Sequence, residues 1–155
     1  MLGAAVAPVA RAGAAMAAAP SDGDILERLL RLERRLEAAY EAALRRRVLD
    51  EDLARSLRDQ EREHREGLEA TLVARGRQAP APEAGDSGLS AALRSRMAFV
   101  RYALDLEGRT VRAYVDAEAS LGDTGLLRPL AAIMTSEAQH QVALRAVVGE
   151  PLLGV

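Results

Sequence analysis

The stretch SEAQH at residues 136–140 places Glu137 three residues before His140 inside an apolar helical run. The chain's other histidine, His64, has the same spacing to Glu61 in EREH, residues 61–64. Residues three apart share a helix face, so each pair directs a carboxylate and an imidazole towards one point. Carboxylates on a core-facing stripe are costly unless they are neutralised or coordinated. The two pairs therefore predict the halves of a metal site. Both are flanked at helical spacing by apolar residues: Leu57, Leu68, Leu130, Ile133, Leu144 and Val147.

Composition favours one helical domain with a real core. The chain has 155 residues, of which 49% are hydrophobic and 28% charged, and its formal net charge is -2. This balance gives no general attraction to nucleic acid or to an anionic membrane. One Phe, three Tyr and no Trp provide no platform for stacking bases. The absence of Cys excludes disulfides and zinc–cysteine sites.

Helix signals divide residues 21–150 into four long segments, which we predict to be four helices. The first begins at Ser21 or Asp22 and ends in the arginines 45–47, and the second is capped by Asp50 and stops at Gly76. The third is predicted over Leu89–Leu121. The fourth begins between Leu126 and Pro129 and ends at Gly149.

The loop GRQAPAPEAGDSG at residues 76–88 lies between the second and third helices. Thirteen extended residues reach about 43 Å, whereas a helix of 25 residues is about 37 Å long. The loop can therefore run the length of a bundle, and we predict two helix pairs joined by a long crossover.

The two ends are predicted to lie outside the bundle. Residues 1–20 are Ala-rich and nearly uncharged, with small residues at positions typical of an export-signal cleavage site but without a basic start. They are predicted to be either a disordered tail or a truncated export signal, so cytoplasmic and exported locations stay open. Their apolar run is too short and broken to cross a membrane. Residues 151–155 form a C-terminal tail.

An internal duplication adds two more carboxylates to the predicted site. The motif Leu-Glu followed seven residues later by Ala-Tyr occurs around Glu33 and Tyr40, and again around Glu107 and Tyr114. The two copies are 74 residues apart, close to the 76 that separate His64 from His140. Each half thus reads as a helix with an inward Glu and a helix with Glu-x-x-His. Four carboxylates would be neutralised by two divalent cations. Oxygen and imidazole donors suit iron or manganese, while zinc is possible but less strongly indicated.

This pattern resembles the ferritin-like di-iron and di-manganese carboxylate proteins, which are four-helix bundles. The run LAAIMTSEAQHQVALRAVVGEP at residues 130–151 is similar to the last helix of bacterial ferritin-like proteins related to desiccation-associated proteins. The resemblance covers about residues 22–150. It implies that Glu33 and Glu107 are terminal ligands, that Glu61 and Glu137 bridge two metals, and that one histidine completes each metal: His64 and His140.

Further residues near the pattern have two interpretations each. In ferritin-like sites a tyrosine often donates to a ligand or acts as a radical sink, which would assign Tyr40 and Tyr114 to the cofactor; the alternative is plain core packing. Glu37 is either an auxiliary ligand or, as favoured, an edge residue. The two glutamines beside the ligands, Gln60 and Gln141, are predicted to face away.

The predicted function is binding of a dinuclear centre, with iron favoured and manganese also allowed, that reacts with dioxygen or peroxide as an oxidase, ferroxidase or peroxide scavenger. The alternative is a non-catalytic binding or structural bundle with a vestigial metal site. An iron-storing cage is a third and weaker hypothesis, and a homo-oligomer stays open.

Overall fold

The structure, a computed structural model, describes residues 19–83 and 85–151. All regular structure within these residues is helical, which confirms the predicted all-α bundle. The helices are α1 (Asp22–Arg46), α2 (Glu51–Ala74), α3 (Ser87–Ala92), α4 (Arg96–Glu118) and α5 (Leu127–Val148), with a turn of 3₁₀ helix at Thr124–Leu126. The four long helices α1, α2, α4 and α5 form the bundle.

Capping residues mark several helix ends at the positions that the sequence predicts. The Ser21 hydroxyl accepts from the Asp24 amide, and the Asp24 carboxylate accepts from the Ser21 amide, which is a reciprocal capping box. Asp50 caps α2 by accepting from the Leu53 amide. Gly149 ends α5 in the left-handed region at φ 68°, which a residue without Cβ adopts at little cost.

The predicted third helix, Leu89–Leu121, is wrong at its start, because a break at residues 93–95 separates α3 from α4. Ser95 has an extended backbone, and its hydroxyl accepts from the Ala98 amide, so α4 begins with a cap of its own. The six residues of α3 are capped separately by Asp86. The result is that α4 starts about two turns later than predicted.

The chain forms two antiparallel hairpins, α1 with α2 and α4 with α5, joined by the crossover between α2 and α3. Helix α1 packs antiparallel on α4, since Tyr40 bonds Glu107 while Tyr114 bonds Glu33. The crossover therefore has to travel the length of the bundle. Arg77 pairs with Glu27 near the start of α1, and farther along Glu83 pairs with Arg35. The predicted two helix pairs with a long crossover are confirmed.

Two apolar clusters fill the bundle, one towards each end. One contains Leu36, Leu57, Phe99, Val100, Leu106 and Leu144, and the other contains Ile25, Leu29, Leu68, Leu72, Tyr114 and Leu130. A layer of buried charged and polar residues occurs along the same helices: Glu33, Glu61, Glu107, Thr110, Glu137 and His140. The interior is thus apolar on either side of a polar middle layer.

The predictions for the two ends fall largely outside the described residues. Residues 1–18 of the N-terminal tail or export signal are not described, and neither are residues 152–155 of the C-terminal tail. None of the described helices is both long enough and apolar enough to cross a membrane.

Candidate metal centre

Each of the four long helices brings at least one of the six predicted ligands into the bundle. Helix α1 carries Glu33 and α4 carries Glu107, while α2 and α5 carry the two Glu-x-x-His pairs. All four glutamate side chains are 0% exposed, and those of His64 and His140 are 12% and 3% exposed. The helical periodicity explains this burial, because in each helix the ligand residue occupies a core-facing position that would ordinarily hold an apolar side chain.

The six side chains form two groups with two shared members. The His64 cluster contains Glu33, Glu61, His64 and Glu137, and the His140 cluster contains Glu61, Glu107, Glu137 and His140. Within each cluster, one donor atom from every residue lies within 4.8 Å of the others. Metal bonds of about 2.0–2.2 Å put opposite donors about 4.4 Å apart. Small side-chain movements would therefore close either cluster around one ion.

The histidine nitrogens lie against carboxylates of the opposite half of the chain. Nδ1 of His64 is 2.8 Å from Glu137 Oε1, and Nδ1 of His140 is 2.9 Å from Glu61 Oε1. The two rings stack with their centroids 6.0 Å apart. Each half of the duplicated chain thus contributes ligands to both clusters.

The donor atoms are buried, and apart from the contacts between histidine nitrogens and carboxylate oxygens within the clusters they have no hydrogen-bond partner. These atoms are Glu33 Oε2, Glu107 Oε2, Nδ1 of both histidines and both carboxylate oxygens of Glu61 and Glu137. Buried polar atoms are normally paired, and an orphaned one costs about 1–3 kcal/mol. A shared cation would satisfy them together. The residues present therefore fit a metal pair.

The electrostatics of the clusters follow from burial and opposite charges. Burial raises the pKa of Glu33 and of Glu107 well above 4.5. Burial alone would raise the pKa of Glu137 as well, but its contacts with the two histidines lower it to about 2. Burial would lower the pKa of each histidine, yet the surrounding carboxylates raise it to about 11 for His64 and about 12 for His140. Without metal, protons on the imidazoles compensate part of the carboxylate charge.

Two buried tyrosines donate to the carboxylates that belong to only one cluster. The Tyr114 hydroxyl donates to Glu33 Oε1 at 2.6 Å, and the Tyr40 hydroxyl donates to Glu107 Oε1. Both tyrosines also pack in the core, and Tyr40 meets Phe99 edge to face. Each tyrosine crosses to the glutamate of the other half, which the motif's spacing within one helix did not indicate.

The prediction that Gln60 faces away is wrong. Gln60 Oε1 lies 3.3 Å from His140 Nε2 and accepts from the Ser136 hydroxyl at 3.3 Å. Its position directly before Glu61 puts it beside the stripe rather than on it, so periodicity gave no signal. Gln141 instead accepts from Arg145.

Glu37 lies outside both clusters. Its two carboxylate oxygens accept from Arg62 at 3.1 Å and from Arg65 at 2.7 Å. Glu37 thus belongs to a half-buried ion-pair network between α1 and α2, as expected for an edge residue.

The sequence of the chain matches the model of a known protein family. The family model described as "Ferritin-like domain" matches residues 21–150, which is most of the chain. The protein therefore belongs to the ferritin-like domain family. No significant match is found among curated proteins or among solved structures. The two clusters in this fold fit metal binding.

Proposed function

We propose that the chain binds two divalent metal ions, with iron favoured and manganese also allowed, and that the pair reacts with dioxygen or peroxide. Oxygen and imidazole donors without thiolate support this choice of metals. The single observation that carries the proposal is the convergence, on two overlapping clusters, of buried donor atoms that have no hydrogen-bond partner outside those clusters. A bound pair of redox-active ions would supply the electron transfer to the oxidant, as metal cofactors do in oxidoreductases.

The proposed roles of the six residues follow their membership of the clusters. Glu61 and Glu137 occur in both clusters and would bridge the two ions, while Glu33 and Glu107 each belong to one and would be terminal. Four carboxylates would balance the charge of two divalent cations. The imidazole Nδ1 atoms of the two histidines would complete the set, one for each ion: His64 and His140.

The remaining contacts would keep the ligands in place and the cavity dry. Tyr114 and Tyr40 hold one oxygen of Glu33 and of Glu107, leaving the second oxygen free for a metal. The apolar clusters on either side exclude bulk water, which strengthens every interaction of the charges between them. The two tyrosines are thus proposed as residues that orient the cofactor's ligands.

Metal content and oxygen uptake on one preparation test the proposal. Apo-protein is loaded anaerobically with ferrous iron, freed of excess metal and exposed to dioxygen or to hydrogen peroxide. The same steps are applied to Glu61→Ala/His64→Ala. The matched control is Glu63→Ala, which removes an exposed carboxylate from the same turn of α2. We expect about two metals per chain and oxidant consumption in wild type and control, with both lost in the double variant.

The alternative function, a binding or structural bundle with a vestigial site, makes a different prediction. If metal has no role, replacing Glu61 and His64 by leucine removes buried charge and leaves the fold neutral or more stable. Metal bound without oxidant consumption would point to a remnant site. An absence of metal in wild type as well as in the variants would contradict the proposed function outright.

A further inference from the structure

We propose that the two metal positions are unequal, and that Gln60 is the positioning residue that makes the His140 position the tighter one. The proposal rests on the proposed function, because it concerns how this chain's residues hold the two metals. It starts from a difference between two histidines that the duplicated sequence makes equivalent.

Gln60 fixes the His140 ring from the side opposite the cluster. Gln60 Nε2 donates to the carbonyl and the hydroxyl of Ser56 at 3.3 and 3.2 Å, which turns Oε1 towards His140. An amide oxygen only accepts, so Nε2 of His140 carries the hydrogen and donates it. In the neutral ring this leaves the lone pair on Nδ1, the atom within the cluster. The ring is therefore held in the tautomer and the orientation that a metal ligand needs.

Ser136 adds a second contact to Nε2 of His140. It also explains why only one of the two histidines is held in this way. Its hydroxyl lies 3.3 Å from His140 Nε2 and donates to Gln60 Oε1. Ser136 is also the counterpart of Gln60, since each directly precedes the glutamate of its Glu-x-x-His motif. Where one half has a glutamine long enough to cross from α2 to α5, the other half has a short serine. Among the described residues, no hydrogen bond holds Nε2 of His64.

The exposure of the two rings shows the same asymmetry. The His64 side chain is 12% exposed, whereas that of His140 is 3% exposed and all four glutamates are at 0%. A ligand at the solvent edge with an unanchored ring is easier to rotate out of a coordination sphere. The His64 position would therefore bind more weakly, and metal would enter and leave past His64.

The test is a stepwise titration of apo-protein with Co²⁺ under anaerobic conditions. Calorimetry and the visible absorption of the bound ion monitor each step. Wild type is compared with two variants. Gln60→Met keeps the side-chain volume but removes the oxygen that accepts from His140 Nε2, whereas Gln60→Glu keeps an accepting oxygen. Gln141→Met is the matched control, because Gln141 precedes no ligand and accepts from Arg145. His64→Ala and His140→Ala assign the binding steps.

We expect two steps in wild type. Loss of an orienting partner of a metal-bound histidine lowers affinity about 10–100-fold, so Gln60→Met should weaken the tighter step by that factor and leave the weaker step unchanged. Gln60→Glu should retain the tight step, and so should Gln141→Met. His140→Ala should remove the tight step, whereas His64→Ala should remove the weak one.

Several results would overturn the inference while leaving the dinuclear site intact. These are two identical steps in wild type, equal weakening of both steps in Gln60→Met, or loss of the tight step in His64→Ala. Should Gln60→Met fail to fold, as judged by circular dichroism of the apo-protein, the two histidine variants still decide the order of the steps. No Co²⁺ bound by folded wild type would instead contradict the proposed function itself.

Discussion

Two hydroxyl groups at the middle of the bundle join halves of the chain that are far apart in sequence. Tyr40 donates to Glu107 and Tyr114 donates to Glu33, and all four side chains are fully buried. A phenylalanine at either position keeps the ring's packing but leaves a buried carboxyl oxygen without its donor.

Tyr114→Phe is expected to lower the free energy of unfolding by about 1–3 kcal/mol, the cost of stranding a buried polar group. Urea denaturation of the apo-protein measures the change. Tyr102→Phe is the control, because Tyr102 donates at 3.0 Å to Asp86 in a half-buried pair where water can replace the hydroxyl. Equal losses in the two variants would show that the buried bond has no special weight.

Proton release on metal loading follows from the charge state of the histidines. With pKa values raised from 6.5 to about 11 and about 12, His64 and His140 are both protonated in the apo-protein at pH 7. A metal needs the free Nδ1 lone pair, so binding has to expel about two protons or more, and affinity should rise with pH.

Calorimetric titration in two buffers of different ionisation enthalpy counts the protons released. His64→Ala should release about one proton fewer than wild type, since one imidazolium is missing. Heats that do not depend on the buffer would mean that the histidines are already neutral before metal arrives.

Much of the site at the residue scale could be predicted from helical periodicity. The six charged residues lie at stripe positions, and the structure brings all six together, while their binding of metal stays a prediction. Periodicity assigns a residue to a helix face but says nothing of which neighbouring helix that face meets. The reach of Gln60 to His140 and the crossing of the tyrosines depend on that second fact, and so they were not foreseen.

At the scale of elements, helix ends were predictable where a side chain caps them and the next segment is a clear turn. Ser21, Asp50 and Gly149 mark their ends in this way. Residues 93–97, LRSRM, consist of good helix formers around one serine, so composition favours an unbroken helix. The break there is imposed by the turn into the bundle at the end of the crossover, a tertiary effect.

Ser95→Ala tests how much this start of α4 depends on its cap. The variant loses the hydrogen bond from the Ala98 amide and should lower stability by about 1 kcal/mol, or about 2–4 °C in the melting temperature. Thermal unfolding followed by circular dichroism measures the shift. Ser90→Ala, at an exposed serine inside α3, should leave the melting temperature almost unchanged; a drop as large as that of Ser95→Ala would argue against a cap effect.

At the scale of the whole molecule, bound metal should join four helices whose buried carboxylates are otherwise compensated only by protons. A ligand at a hundred times its dissociation constant stabilises the folded state by about 2.7 kcal/mol per site. Two sites in a domain of this size should raise the melting temperature by roughly 10 °C or more.

Melting curves with and without manganese, which is stable in air, check this expectation. Glu63→Ala should show the full rise, whereas Glu61→Ala/His64→Ala should show little or none. A rise of the same size in the double variant would place the stabilising ion somewhere other than the two clusters.

Because Glu61 and Glu137 belong to both clusters, substitutions of the four glutamates should differ in how many metal positions they affect. Loss of Glu33 or Glu107 would damage a single coordination sphere and leave the other with its own set of donors. Loss of either shared carboxylate would damage both at once, with no half-active intermediate. If the proposed function holds, Glu61 and Glu137 are the two positions where a single substitution would abolish both metal positions. The duplication of the two halves supplies no replacement for either of them.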